Sequence, residues 1–550
     1  MFWLCFCLSV TSAQQVVLDT LLQIIQDNEG IVPLIENVGI CDHVLIEDHA
    51  SIAESWWPIK HSYWLIDKKS GERIFLSRRE DICPGSFYYT PSGRWLLYYN
   101  NKKRDYFSYD LILRSTRNIT NSARTRWTDV NYDRSAPAPP IGIAGWLDKV
   151  KALMIYDNYD IWQVDPGGHR LPINLTQGYG RQHHVRLRIA AKVQDTLILT
   201  AFNTLTKNMG FFRIVLGPER YVEQLSMGPW LISEIISAGQ AGVWLVKRES
   251  CEEAPNYFIT KDFKTFKPVT DIQPQKSWNW MSRELLQWKE PGGKNLQGIL
   301  YKPGDFDPGK RYPIIFLLYE QQSDRLNEFQ QPYTSSGEMN IAWMVSRGYL
   351  VCAPDIHYVI GKPGKSALGS VISAVRYLQR FPWIDINRMG LQGHSFGGWE
   401  VNYIITNSHR FAAACSASAR SDLVSSYNNL YGRRSAQEMG ETGQWRIGTT
   451  LWQKPKAYIA NSPVMQADKI TTPLLMMHNP ADEAVPFSQA VEFFIALRRL
   501  GKPVWLLQYE KGGHLLGGRE AKDFTERMTQ FFDHYLKGAP APAWMQPYPP

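Results

Sequence analysis

The pentapeptide Gly393-His394-Ser395-Phe396-Gly397, extended by Gly398, limits the folds open to this chain more than any other feature. It fits G-x-S-x-G, in which a serine sits on a sharp strand-to-helix turn. Glycines flank the serine because the backbone is strained there and a side chain would strike the neighbouring strand and helix. Arg388–Gln392 read as a short buried strand and Gly398–Thr406 as the start of a helix, so the context is the required one. The same five residues also fit a glycine-rich turn beside an ordinary serine. The partners decide.

An α/β-hydrolase places its serine, its acid and its histidine along the chain in that order. Downstream of Ser395, the apolar strand Thr472–His478 ends in Asn479-Pro480-Ala481-Asp482-Glu483, and the strand Val504–Tyr509 ends in Glu510-Lys511-Gly512-Gly513-His514. Asp482 and His514 therefore fall just past the carboxyl ends of two predicted parallel strands, the edge where an open α/β sheet gathers catalytic groups. A serine hydroxyl attacks only when an imidazole takes its proton, and the imidazole needs a carboxylate to fix its tautomer. Other assignments fit less well. His478 lies at a strand end and reads as a packed, hydrogen-bonded histidine. His409 and His534 sit in polar, helical surroundings and His357 in a Gly/Pro-rich loop, while Asp468 precedes its strand and Glu483 is the rival acid.

Residues 275–545 resemble the catalytic domain of the prolyl oligopeptidase family of serine peptidases, particularly its Bacteroidetes-type dipeptidyl and acylaminoacyl peptidases. The resemblance rests on Gly393–Gly398, Thr472–His478, Asp482–Pro486, Ala496–Val504 and Arg527–Leu536. Pro480 departs from it, since such relatives usually carry an acidic residue there. By this resemblance the oxyanion hole is the Phe396 N–H together with the hydroxyl of Tyr319, at the end of the strand Pro313–Tyr319. Val485 and Tyr427 are the candidates for a substrate pocket. Around Arg420–Tyr427 the aromatic cluster that lines a proline pocket in better-known relatives is missing, and no paired-glutamate motif for gripping a free amino terminus is evident.

A chain of 550 residues is too long for one core. With 44% hydrophobic and 20% charged residues its composition is ordinary for a globular protein, and a net charge of +8 is dilute over this length. No basic run interleaved with aromatics points to nucleic acid. No apolar stretch approaches the ~20 residues that cross a bilayer. Met1–Ala13 read as the remnant of a secretory signal without its positive start, which implies a periplasmic or secreted protein, or a cytoplasmic one if the segment is no signal. The scattered cysteines suggest no disulfide framework, and no spacing implies a metal or cofactor. Cys352 and Cys415, in apolar strands, read as buried thiols.

Residues 14–270 read as all-β, in short aromatic and β-branched runs broken by Gly, Pro, Asn and Asp. Trp95–Tyr99, Tyr109-Asp110 and Asn118-Ile119-Thr120 recur as Ala152–Tyr156, Tyr159-Asp160 and Asn174-Leu175-Thr176, with the Tyr-Asp pairs 50 residues apart. Weaker units follow at Leu197–Phe202 with Gly210–Ile214, and at Gly242–Val246 with Asn256–Ile259. Multi-stranded repeats of about 40–50 residues are the mark of propeller blades, with unrelated strands of a β-sandwich as the alternative, and some 250 residues give about five blades. The family resemblance implies seven or eight, so either the blades are compact or, as expected here, the propeller is incomplete. Asn118 and Asn174 match the glycosylation acceptor pattern, yet both read as strand ends. A linker is expected within Thr270–Gln287 and the hydrolase domain at 275–550, with helices at Ser370–Phe381 and Glu520–Leu536. Residues 421–460 interrupt its order and either line the pocket or pack against the propeller.

The expected architecture is an α/β-hydrolase behind an all-β, propeller-like half. The expected activity is hydrolysis of short peptides through Ser395, His514 and Asp482. An esterase on the same fold, or a binding protein with weak catalysis, are the alternatives.

Overall fold

The computed structural model describes residues 31–33, 43–49, 61–217, 220–290, 293–432 and 434–546. Met1–Ala13 and Cys5, Cys7 and Cys41 lie outside them. The chain divides into two compact units, one of residues 1–132 with 137–181, the other of residues 133–136 with 182–550.

The first unit holds three four-stranded antiparallel sheets, spanning residues 31–78, 88–118 and 143–174, each with its strands paired in chain order. These are propeller-type blades. Their stacking follows from the two-residue period of a strand. In Trp95–Asn100, Leu96 and Tyr98 pack with Leu45, Tyr63 and Leu65 of the preceding sheet. The alternate residues Leu97 and Tyr99 pack with Leu153 and Ile155 of the next. Both faces are thus buried, which explains the unbroken apolar run.

The Asn-x-Thr repeats close these blades. The Thr120 hydroxyl donates to Asp105 and accepts from the Tyr106 N–H, while Thr176 donates to Asp160 and accepts from the Ile161 N–H. Both threonines are fully buried. This also corrects the repeat register, because the structural counterpart of Asp160 is Asp105, not Asp110. Asp110 ends its strand and caps the following turn through the N–H groups of Ile112 and Leu113.

The second unit begins with two more four-stranded blades, at 185–228 and 231–268. They join the hydrolase domain through polar contacts. Arg186 and Lys207 both pair with Asp324, and the Phe329 N–H donates to Glu249.

The hydrolase sheet has eight strands: β1 (Met281–Lys289), β2 (Asn295–Pro303), β3 (Tyr312–Leu318), β4 (Leu350–Pro354), β5 (Ile384–His394), β6 (Ala413–Ala417), β7 (Leu474–Met477) and β8 (Val504–Leu507). Their order across the sheet is β1-β2-β4-β3-β5-β6-β7-β8. The first two pairings are antiparallel and the rest parallel. Ile314, Phe316 and Leu318 of β3 face one core, with helices α1 (Pro363–Leu378), α2 (Phe396–Asn407) and α3 (Ser488–Arg499). Ile315 and Leu317 face the other, where α4 (Gly518–Lys537) supplies Phe524, Met528, Phe531 and Phe532. Cys352 and Cys415 are buried free thiols within this sheet. Among the described residues no helix is long and apolar enough to cross a membrane.

Candidate active site

β5 runs straight into α2, and Ser395 is the hinge between them, with φ +57° and ψ −116°. Its N–H donates to Ala417 O at 2.8 Å, which pins the turn to β6. The glycines are there for space. A Cβ on Gly393 would stand 2.3 Å from the Gly397 carbonyl oxygen, and one on Gly397 would stand 2.0 Å from Leu318 O.

Asp482 and His514 arrive from the loops after β7 and β8. His514 Nδ1 lies 2.8 Å from Asp482 Oδ2. Asp482 Oδ1 accepts the N–H groups of Ala484 and Val485, each at 2.8 Å. Burial alone would raise this carboxyl, but His478, His514 and the Val485 N–H together hold it well below the usual carboxylate range. An ionised Asp482 can only accept, so Nδ1 of His514 carries a proton, and in the neutral imidazole Nε2 is the nitrogen with the lone pair. His478 is buried, with Nε2 2.9 Å from Val485 O and 3.2 Å from Asp482 Oδ2. It is a packed, hydrogen-bonded histidine that also braces the acid.

His394, adjacent to Ser395, is a residue whose part the sequence reading missed. Its Nε2 donates to His514 O at 2.9 Å, joined there by the Ser418 hydroxyl at 3.2 Å. Burial, reinforced by the neighbouring His514, pulls its imidazole down to about 4. It therefore stays neutral and acts as a strut for the His514 backbone.

Tyr319 follows β3 and is 36% exposed. Gln444 Nε2 donates to its oxygen at 3.2 Å and to Glu320 Oε1 at 3.0 Å. Because the phenol oxygen accepts, its own hydrogen remains to be donated elsewhere. Burial, opposed by the Gln444 bond, raises the Tyr319 phenol and keeps it protonated. Glu320 is strained at φ +37° and is held by Arg446, which also forks onto Asp133 Oδ1 at 2.9 and 2.7 Å. Phe396 opens α2, so its N–H has no intrahelical acceptor.

The two pocket candidates sit differently. Val485 is buried behind Asp482, bonded as described above. Tyr427 is 1% exposed, donates to Glu441 at 2.5 Å and meets Trp452 and Tyr458 edge-on, all within the 421–460 segment. Among the described residues no group of three or more His, Cys, Asp or Glu is placed to hold a metal.

Glu400, five residues beyond Ser395 on α2, is wholly buried. The Tyr358 hydroxyl bonds to its Oε1, and its Oε2 has no partner. Burial pushes this carboxyl up to about 8; the Glu320 charge adds to the rise, while the Tyr358 bond and Arg446 oppose it. Between its ordinary value of 4.5 and about 8 the folded protein holds a proton that the unfolded chain has lost. Stability therefore falls as pH rises through that window. Glu400→Gln should match wild type near pH 4 and exceed it at pH 9 by on the order of 4 kcal/mol. Denaturation midpoints across pH check this, and a variant that follows wild type throughout contradicts it.

Residues 335–539 match the model of the prolyl oligopeptidase family. The matched segment, 205 of the 550 residues, is similar to that family. Dipeptidyl-peptidase 5 of Porphyromonas gingivalis is 27% identical over 287 residues, 49% of this chain and 39% of that protein. Human dipeptidyl peptidase 8 is 27% identical over 316 residues, 54% of this chain and 32% of that one. The matches thus span less than two-fifths of these curated relatives. The crystal structure of Porphyromonas gingivalis dipeptidyl peptidase 4 superposes with a TM-score of 0.62 over 90% of this chain and 73% of that one. At 16% identity that likeness is one of fold.

Proposed function

We propose that the protein is a serine peptidase that cleaves short peptides through an acyl-enzyme. The observation that carries this reading is the 2.8 Å bond between His514 Nδ1 and an Asp482 whose other oxygen is fixed by two backbone N–H groups. Ser395 attacks the scissile carbonyl as His514 Nε2 takes its proton. The imidazolium that forms is stabilised by Asp482 and then protonates the leaving amine. The Phe396 N–H and the Tyr319 hydroxyl receive the oxyanion. The preference for short peptides draws on the dipeptidyl-peptidase names of the relatives.

Aminoacyl and dipeptidyl chromogenic amides, assayed beside p-nitrophenyl esters, test the reading. Amide turnover that depends on Ser395 is the expected result; turnover of esters alone would make the protein an esterase. Tyr319→Phe removes one oxyanion donor and should lower kcat by about 10²–10³ with little change in KM. Gln444→Leu leaves the phenol but not its aim, and should cost less, again in kcat. A rise confined to KM in the Tyr319→Phe variant would take Tyr319 out of the oxyanion hole.

A further inference from the structure

Arg420 stands three residues past β6, on the loop leaving the sheet edge beside the nucleophile turn. Its neighbour Ala419 packs against the turn, since a Cβ on Gly398 would lie 2.8 Å from the Ala419 methyl. The side chain crosses to the acid loop, where Nη2 donates to Ala484 O at 2.9 Å, and its guanidinium lies 4.9 Å from the centre of the Trp445 ring. The residue is 6% exposed, and Nη1 is buried with no hydrogen-bond partner.

No carboxylate among the described residues pairs with it. Asp482 lies near enough to act on its charge, as does the phenol of Tyr431, but both Asp482 oxygens are already engaged. Burial pulls the guanidinium down to about 10, still charged at neutral pH. Arg446, comparably buried, has both Asp133 and Glu320. A buried cation without a counter-ion is costly, and an apolar side chain of similar length would fill the same space without that cost. Such a group persists where a partner arrives with the substrate. The position agrees, because Arg420 bridges the two loops that flank Ser395 at the carboxyl edge of the sheet, where ligands of such sheets bind.

We propose that Arg420 determines specificity by binding a substrate carboxylate. Resting on the peptidase reading, this makes the preferred substrate one with aspartate or glutamate at the residue whose carbonyl Ser395 attacks. A free carboxyl terminus is the other source of the same chemistry. The unpaired Nη1 edge offers a charge-assisted bond in a site shielded from water, where it is strongest. A carboxylate reaches Nη1 as the side chains around it shift.

Peptide aldehydes ending in glutamate, glutamine or leucine place a carbonyl before Ser395 and need no turnover. Their affinity is read from the slowing of fluorophosphonate labelling. Wild type should bind the glutamate aldehyde at least about tenfold more tightly than its glutamine isostere, a charge-assisted preference. The ratio should fall to about one in Arg420→Met and be partly kept in Arg420→Lys, which retains charge without the fork. Tripeptides with a free carboxyl terminus, compared with their amides as competitors, report the second source: a preference there and not among the aldehydes assigns Arg420 to the substrate terminus. Equal binding in both comparisons, or a ratio that survives Arg420→Met, overturns the assignment. A wild-type protein that the phosphonate does not label overturns the serine mechanism and this inference together, whereas a labelled protein without the preference overturns this inference alone.

Discussion

Ser395→Ala should abolish amide turnover, with kcat lower by about 10⁶. The expectation follows from the turn. Ser395 is held at φ +57° by glycines that tolerate no side chain, on the hinge between β5 and α2. Such strain is kept where a side chain must be presented to a substrate. Alanine keeps the small Cβ, so the fold should be retained and circular dichroism should match wild type. Without the hydroxyl no acyl-enzyme forms, and the remaining donors at Phe396 and Tyr319 accelerate only the slow attack of water. Steady-state assays with chromogenic amides measure the loss. Residual turnover within tenfold of wild type would remove Ser395 from the chemistry.

The second large effect separates two histidines that share one carboxylate. His514→Gln should lower kcat/KM by about 10⁴ or more, because glutamine offers no base to take the Ser395 proton. His478→Gln should cost about tenfold or less, since the amide N–H₂ can still donate to Val485 O. Both histidines lie within 3.2 Å of Asp482 Oδ2, so proximity to the acid does not rank them. Position does. His514 is partly exposed, with its ring 4.7 Å from that of His394 beside Ser395, whereas His478 is 1% exposed behind the Asp482 loop. The reverse ranking of the two variants would mean that the base is His478.

Much of this site was legible because its groups follow one another along the chain, each after a strand with a local apolar signature. Ser395, Asp482 and His514 all stand just past such strands, whereas β3 stops at Leu318, one residue before its expected end, and leaves Tyr319 on the loop. What could not be read is what distance in sequence conceals. Arg446 reaches Asp133 across 313 residues, and no periodicity links the two. Arg420 looks like any loop arginine until burial leaves it without a counter-ion.

Helix α1 begins at Pro363, seven residues before the apolar spacing at Ser370 suggests. Its first turns are built of small residues, among them Gly364, where a Cβ would lie 2.3 Å from the Tyr403 ring, so close packing erases the helical pattern there. In the all-β half the blade strands were visible through their aromatic alternation. The register of the repeat was misplaced because the Tyr-Asp pairs fall at opposite ends of corresponding strands: Asp110 ends one strand, while Asp160 precedes the other.

The mechanism requires that Ser395 be activated by its partners, and site mapping of a fluorophosphonate label tests that most directly. The full chain is treated with the probe at neutral pH, and the modified peptide is identified by mass spectrometry. One label per chain is expected, on Ser395, lost in Ser395→Ala and strongly slowed in His514→Gln. Labelling of another residue, or labelling of Ser395 at the same rate without His514, would contradict the mechanism.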